Sequence, residues 1–390
     1  MPSDFATQEE PLALYIHWPF CLSRCPYCDF NTYVRKAIPQ KRFRDLLCSE
    51  LAYEANRLGR RRLASIFFGG GTPSLMFPET VSQIITEATT YFDPVSNLEI
   101  TLEANPTSVE VEKLTHFRQA GVNRISLGVQ AFDEQALQFL GRQHSVAQAY
   151  TAIEAAKALF PRVSFDLIYA RPEQTFESWQ RELRSALNLM TEHIALYQLT
   201  IEQGTRFDSL YQAGRLTLPH EEEAAALYTM TNDIVSSYGL RAYEVSNYAR
   251  LGCESRHNLV YWRYGDYLGI GPGAHSRFAL QKGFYAVQRQ RVPELWADFV
   301  EQRGTGQSIQ ENLEPRARAR EMLLMGLRVE EGINLHRFAQ RTGMTLEQSV
   351  DHDILNKALE ENYLVQTETI LRTTQEGRLR LEALLSALVL

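Results

Sequence analysis

Between residue 13 and about residue 250, short apolar runs alternate with longer stretches of helical periodicity, roughly six times over. The runs Ala13–Trp18, Ser65–Phe68, Leu98–Leu102, Arg124–Gly128, Ser164–Tyr169 and Ile194–Thr200 read as strands. Stretches beginning near residues 41, 79, 108, 133 with 146, 176 and 221 read as helices. Such alternation gives a parallel sheet with helices outside it, either closed as a barrel or open. The first four strands end in Cys-rich, polar or glycine-rich sequence: the loop after Trp18, Gly69-Gly70-Gly71-Thr72-Pro73, Glu103-Ala104-Asn105-Pro106 and Gly128-Val129-Gln130. The C-terminal strand ends form the active face of (β/α) barrels, so this placement favours a barrel-like form.

The loop after the first strand carries Cys21, Cys25 and Cys28 within Cys-Leu-Ser-Arg-Cys-Pro-Tyr-Cys. A structural zinc site usually takes four Cys or His ligands in pairs from two loops. No second pair exists here, because Cys48 and Cys253 stand alone. Five cysteines in 390 residues, without a secretory signal, fit a reducing compartment better than disulfides. Cys48 falls in a helical pattern and reads as a small core residue. A 4Fe-4S cluster normally takes four thiolates, so three leave one iron free to bind something small.

The net charge of −7 argues against a nucleic-acid partner, and no apolar run approaches the roughly 20 residues that span a bilayer. The first ten residues are polar and mildly acidic, unlike a signal or transit peptide, which points to the cytoplasm. From Glu244 to Ser276 the chain is rich in Tyr, Gly, His and Asn and reads as irregular backbone around a site or interface. Further on, the stretches Arg316–Arg328, Leu335–Thr342 and Leu346–Asn362, a β pair near Tyr363–Thr373 and Gln375–Leu388 resemble a winged-helix module. Its ten Lys and Arg against thirteen Asp and Glu, counted over 305–390, make packing or partner contact a better role than DNA binding. The expected division is 1–250, a connecting segment 251–304, and 305–390.

Several residues at the strand ends stand out. The glycines of 69–71 permit a tight turn, and backbone without Cβ can also approach a ligand closely. Glu103 reads either as a surface acid or as an acceptor of hydroxyl hydrogen bonds. Asp166 is the most informative on physical grounds, because it interrupts an apolar strand (Val163, Phe165, Leu167, Ile168), where a carboxylate without a partner is costly. His257 lies in His-Asn-Leu-Val-Tyr-Trp, and a neutral imidazole is a good axial ligand for heme iron, although a lone histidine in such a segment more often only hydrogen-bonds. Tyr261 and Trp262 beside it could pack on a porphyrin face. Cys253 and His17 are further candidates for heme or cofactor contact.

The CxxxCxxC spacing is also that of the radical SAM superfamily, which the chain resembles well beyond the cysteines. The resemblance implies an α/β partial (β/α)6 TIM-like barrel with a mostly helical, winged-helix-like C-terminal domain. It implies that S-adenosylmethionine (SAM) chelates the open iron and is cleaved to a 5′-deoxyadenosyl radical, chemistry that belongs to the cofactors. It places Gly70, Gly71 and Thr72 at the methionyl group and Glu103 at the ribose hydroxyls. Gln130, Arg142 and Asp166 match further positions around the cofactor, and Tyr15 and Tyr27 match aromatic positions beside the cluster. Within the superfamily the chain is similar to the group of oxygen-independent coproporphyrinogen III oxidase and the heme chaperone HemW, from Tyr15-Ile-His-Trp-Pro-Phe through Tyr267-Leu-Gly-Ile-Gly to Leu323-Leu-Met-Gly-Leu-Arg.

Two features choose between those relatives. The oxidases carry a further cysteine two residues after the third, where this chain has Phe30, and an N-terminal extension, where only fourteen residues precede Tyr15. The His257 motif looks like the HNxxYW of the heme chaperones. The resemblance therefore implies a heme chaperone holding a 4Fe-4S cluster, SAM and heme, with the cluster and SAM serving structure, dimerisation or redox control more than turnover. Its partners would be apo-hemoprotein recipients, reached at membranes only through those recipients, an electron donor and a second copy of itself. The alternative is the oxidase, which decarboxylates two propionates of coproporphyrinogen III. One departure is the Ala170-Arg171 pair, where relatives commonly have Gly-Leu, which puts local contacts there in doubt.

Overall fold

The computed structural model describes residues 10–280 and 283–390. The polar residues 1–9, read above as lacking an export or transit signal, lie outside the described residues. Twelve strands form one sheet: β1 (Leu12–Trp18), β2 (Arg62–Gly70), β3 (Asp93–Ala104), β4 (Arg124–Gln130), β5 (Arg162–Tyr169), β6 (His193–Gln198), β7 (Arg241–Ala242), β8 (Asn247–Ala249), β9 (Tyr267–Ile270), β10 (His275–Leu280), β11 (Gly283–Arg289) and β12 (Gln307–Asn312). Their order in space is β12-β11-β10-β9-β1-β2-β3-β4-β5-β6-β8-β7. Strands β1 to β6 run parallel, as the alternation requires. β1 sits near the middle with all but one residue buried, the pattern of a parallel strand covered on both faces.

Helices α1 (Gln40–Leu58), α2 (Pro78–Tyr91), α3 (Val146–Leu159) and α4 (Phe176–Leu187) lie between the parallel strands in sequence, and α5 (Glu221–Ser237) follows β6. α3 opens on a reciprocal capping box between Ser145 and Gln148, so two backbone N–H groups that the helix leaves unpaired are satisfied locally. α4 buries Trp179, which stacks on Tyr169 of β5 with ring centres 4.9 Å apart.

The sheet does not end near residue 250. β9 pairs in parallel with β1, from Ala13 opposite Tyr267 to Ile16 opposite Ile270, and β10, β11 and β12 add antiparallel strands. The stretch expected to be irregular, Glu244 to Ser276, therefore holds strands and helix α6 (Arg256–Trp262), and helix α7 (Pro293–Arg303) follows in the connecting segment. Glycine hid them, since it lowers strand propensity. Here it marks close backbone approach: a Cβ on Gly269 would come within 2.2 Å of the His275 carbonyl, and one on Gly271 within 2.4 Å of the His17 carbonyl.

A buried ionic cluster fastens these added strands to α1. Glu50 accepts hydrogen bonds from the N–H groups of Gly271 (2.8 Å) and Gly306 (2.7 Å) and from the Trp296 indole (3.1 Å). The Arg289 guanidinium donates to Glu54 at 3.0 Å and to the Ser276 hydroxyl at 2.7 Å.

The C-terminal region has a hydrophobic core of its own around Leu323, Phe338, Leu371 and Leu388, which also takes in Tyr264 and Phe284 of the main sheet region. Its helices are α8 (Pro315–Gly326), α9 (Leu335–Thr342), α10 (His352–Glu360), α11 (Gln375–Leu379) and α12 (Leu381–Leu388). A wing of Ile333–Asn334, Ile370–Thr373 and Leu364–Gln366 accompanies them. α10 is shorter than the periodicity suggested, because the Asp351 side chain caps it by accepting from the N–H groups of Asp353 and Ile354. The final helical stretch breaks at Arg380. Asp266 anchors the module: it is fully buried and pairs with Arg61 of the main body (2.8 Å) and Arg341 of α9 (2.6 Å). No helix among the described residues is long and apolar enough to cross a membrane.

Candidate functional site

Parallel pairing puts Trp18, the last residue of β1, opposite Gly70 at the end of β2. The cysteine loop and the glycine loop are therefore neighbours at the C-terminal edge. The cysteine loop is pinned at its base, where Phe20–Cys21 pairs in parallel with Tyr33–Val34 and the Arg35 N–H donates to the Cys21 carbonyl at 3.0 Å. Its three thiols line a cavity of about 420 Å³ whose wall also includes Tyr27, Gly70, Gly71, Thr72, Glu103, Gln130, Arg142 and Asp166. Most of the residues singled out in the sequence, drawn from five strand ends, thus meet in one place.

The polar groups around this cavity are incompletely matched. Burial pushes the Cys21 thiol up to about 11 and raises Cys28 as well, with the neighbouring cysteines adding to both. Arg142 points Nη1 to within 3.3 Å of the Cys25 sulfur and donates through Nη2 to the Gly128 carbonyl at 2.7 Å, while its Nε has no partner. Thr72 lies 3.5 Å from the Cys21 sulfur. Glu103 accepts one backbone N–H, from Gly70 at 3.3 Å, and burial followed by the nearby Asp166 pushes it up to about 8. Asp166 is pushed up to about 6 by burial, against the opposing pull of Arg124 and Arg142, and its one hydrogen bond is a long 3.5 Å contact with Ser126. Both carboxylates keep some accessible surface, and it faces the cavity.

Backbone conformation singles out the same wall. Gln130 adopts φ +72°, a left-handed conformation that a non-glycine residue holds at a cost of roughly 1–2 kcal/mol. A Cβ on Gly71 would meet the Phe20 carbonyl at 2.7 Å and the Cys21 sulfur at 3.0 Å, so only glycine lets the two loops close. Among the described residues no three His, Cys, Asp or Glu side chains converge on one point as a single tetrahedral ion requires. Soft thiols spread along one wall, a buried guanidinium with an unpartnered Nε, and carboxylates held near neutrality fit a sulfur-rich cluster beside a small polar molecule. Asn105 and Glu110 also line this wall: the Arg142 guanidinium donates to Asn105, whose N–H in turn donates to Glu110 at 2.8 Å. Sequence reasoning passed over Glu110, and its position one turn inside a helix start was the available signal.

Four residues sit elsewhere. Tyr15 and His17 lie away from the cysteines, in an adjoining cavity of about 470 Å³ that shares Gly70, Glu103 and Phe30 with the first. His257, expected to meet heme iron, lines neither cavity and has both ring nitrogens engaged: Nδ1 is 2.8 Å from the Ser65 hydroxyl and Nε2 is 3.0 Å from the Tyr261 hydroxyl. It stacks on Phe67 with ring centres 4.8 Å apart and clamps α6 to β2, a consequence of the apolar packing that its motif supplies. Cys253 lies beside Glu192, its thiol donating to the carboxylate at 3.3 Å, and lines neither cavity. At the Ala170-Arg171 departure, Ala170 holds φ +55°, and the Arg171 guanidinium turns to Glu182 on α4 instead of into the site.

Residues 15–186 match the model of the Radical SAM superfamily, and residues 313–380 match the HemN C-terminal domain. The heme chaperone HemW of Haemophilus influenzae is 36% identical over 382 residues, which covers 96% of this chain and 97% of that protein. HemW of Escherichia coli is 34% identical over 378 residues, with 96% and 97% covered. The mitochondrial radical S-adenosyl methionine domain-containing protein 1 of Bos taurus is 38% identical over 395 residues, which covers 100% of this chain and 89% of that protein. Among solved structures, coproporphyrinogen III oxidase (HemN) from Escherichia coli, a radical SAM enzyme, superposes with a TM-score of 0.80 at 22% identity, covering 98% of this chain and 91% of that one; it shares the fold.

Proposed function

Because this chain belongs to the radical SAM superfamily and, within it, to the family of the heme chaperone HemW, we propose that it binds heme and delivers it to apo-hemoproteins. The observation that carries this reading is likeness to HemW proteins along nearly the whole of both chains. Phe30, standing where the related oxidases place a further cysteine, supports the same branch.

In this reading Cys21, Cys25 and Cys28 hold a 4Fe-4S cluster, with Tyr27 beside it. Gly70, Gly71 and Thr72 line the end of the cavity that receives the methionyl group of SAM. Glu103 accepts from the ribose hydroxyls, and Gln130, Arg142 and Asp166 complete the cradle. When bound, the cluster and SAM supply a one-electron donor and its acceptor. The protein's own part is electrostatic: the Arg142 guanidinium stands 3.3 Å from the Cys25 sulfur, and Glu103 gives up its proton as a cationic ligand arrives. His257 acts as a brace for α6. We further propose a cytoplasmic site of action, a separate electron donor, a homodimer, and membrane contact only through recipients.

The test is an anaerobic assay of reconstituted full-length protein, offered hemin with an apo-hemoprotein, and separately coproporphyrinogen III with SAM and a reductant. Stoichiometric hemin binding and transfer, with no porphyrin product, is the expected result. Conversion to protoporphyrinogen with SAM consumption would overturn it.

A further inference from the structure

The adjoining cavity contains a histidine whose two ring nitrogens are both free among the described residues, whereas His144 on the wall of the first cavity has Nε2 on the Val129 carbonyl. His275 opens β10 and is exposed, and its imidazole makes no hydrogen bond among the described residues. Of its neighbours, His17 has Nδ1 at 3.0 Å from the Tyr15 hydroxyl and Nε2 at 3.0 Å from the Asn31 carbonyl, so that imidazole is spent. The surroundings keep His275 in the ligand form: partial burial, then the positive charges of Arg277, Arg289 and Arg291, hold its pKa below the usual value. A neutral imidazole has the lone pair that iron needs.

The rest of the cavity mouth is mostly polar and adds one aromatic face and a guanidinium, which suits a flat molecule that carries anionic groups at its edge. Phe30 is 60% exposed on its rim, an aromatic face left open among the described residues. Arg291 offers a guanidinium with no ion pair or hydrogen bond among the described residues, and Gln288 stands opposite His275 on β11. The site is preformed. Asn31 donates to the carbonyls of Pro272 (3.0 Å) and Arg291 (2.9 Å), tying the end of the cysteine loop to both walls. Gly273 holds φ +81°, and a Cβ there would come within 2.5 Å of the Asn31 amide.

We propose that heme binds in this second cavity with His275 as its axial ligand, Phe30 against the macrocycle and Arg291 on a propionate. The inference rests on the heme-chaperone reading and moves the iron ligand away from His257. Gly70 and Glu103 belong to both cavities, so heme would lie one backbone segment from the SAM site, and occupancy of one would be felt at the other.

The test is hemin titration of anaerobically purified full-length protein carrying its cluster, followed by magnetic circular dichroism of the bound heme. His275→Ala is expected to weaken binding by more than about tenfold, the scale on which even supporting contacts of a metal ligand are felt. It should also erase the histidine-ligated signature, which added imidazole restores, while the response of the cluster to SAM is retained. Arg291→Ala should weaken binding without changing the signature, and His257→Ala should leave the signature in place. Wild-type affinity and signature in His275→Ala would overturn the assignment while leaving the chaperone reading intact. Failure of the wild type to bind hemin would remove that reading and this site together.

Discussion

Two groups of buried charges flank the same sheet, and the protein treats them differently. Around Arg289 every carboxylate has partners: Glu50 takes two backbone N–H groups and an indole, and Glu54 takes the guanidinium. Around the cysteine loop, Glu103 has one backbone donor and Asp166 one long contact with a hydroxyl. The first group holds α1 to the added strands. The second faces open volume with its bonding capacity unspent. The histidines repeat the contrast, since His257 is bonded at both nitrogens while His275 is bonded at neither. Satisfied buried polarity is structure, whereas unsatisfied polarity at a cavity wall is capacity for a ligand.

The largest effect should come from breaking the satisfied group. Arg289→Met removes the buried counter-charge of Glu50 and Glu54 and is expected to cost about 3–5 kcal/mol in denaturant unfolding, as removal of one partner from a buried pair does. A cost under about 1 kcal/mol would erase the distinction between the regions.

Glu103→Gln should act in opposite senses on stability and binding. The free carboxylate ionises near 4.5, but in the folded chain it keeps its proton until about 8. The folded state therefore binds more protons across that window, so apoprotein stability falls as pH rises through it. The glutamine variant escapes this loss and should be more stable at pH 9 by on the order of 1–3 kcal/mol. It should also bind SAM at least about tenfold more weakly, since a hydrogen bond to a charged acceptor contributes roughly 1.5–3 kcal/mol. Equal SAM affinity in both proteins by calorimetry would remove Glu103 from the site.

Titration of the wild type sharpens the same point. Asp166 loses its proton near 6 and Glu103 near 8, so SAM affinity should climb across that range. The double variant Glu103→Gln, Asp166→Asn should give a flat profile. A smaller effect is expected at Ala170, whose φ of +55° suits glycine; Ala170→Gly should raise stability by about 1 kcal/mol. The smallest belongs to the exposed pair of Arg263 and Glu331, where Arg263→Ala should change stability by less than about 1 kcal/mol.

Much of this arrangement was legible in the sequence. The alternation of apolar runs and helical stretches has a short-range periodicity, so β1 to β6 and their helices could be read locally. The cysteine spacing and the interruption of an apolar strand by Asp166 are likewise local signals, and both lead to the cavity wall. Strands β9 to β11 were not legible, because Gly269 and Gly271 are required by close approach to the His275 and His17 carbonyls, which no local pattern reveals. The Glu50–Arg289 cluster joins residues 239 positions apart, counted from their numbers, and leaves no periodic trace. His257 misled for the opposite reason: its residue type suits a ligand, but Ser65 and Tyr261 consume both nitrogens. His275 sits in a glycine-rich stretch without a recognisable pattern, and only its missing partners distinguish it.

The central claim is that the cavity beside Cys21, Cys25 and Cys28 holds a cluster with one iron open to SAM. Iron and sulfide analysis of anaerobically reconstituted protein, with electron paramagnetic resonance of the reduced sample before and after SAM, tests it most directly. About four iron and four sulfide per chain are expected, with a spectrum that shifts on adding SAM and loss of both in Cys25→Ala. Protein that holds zinc or no metal, or a cluster whose spectrum ignores SAM, would contradict it.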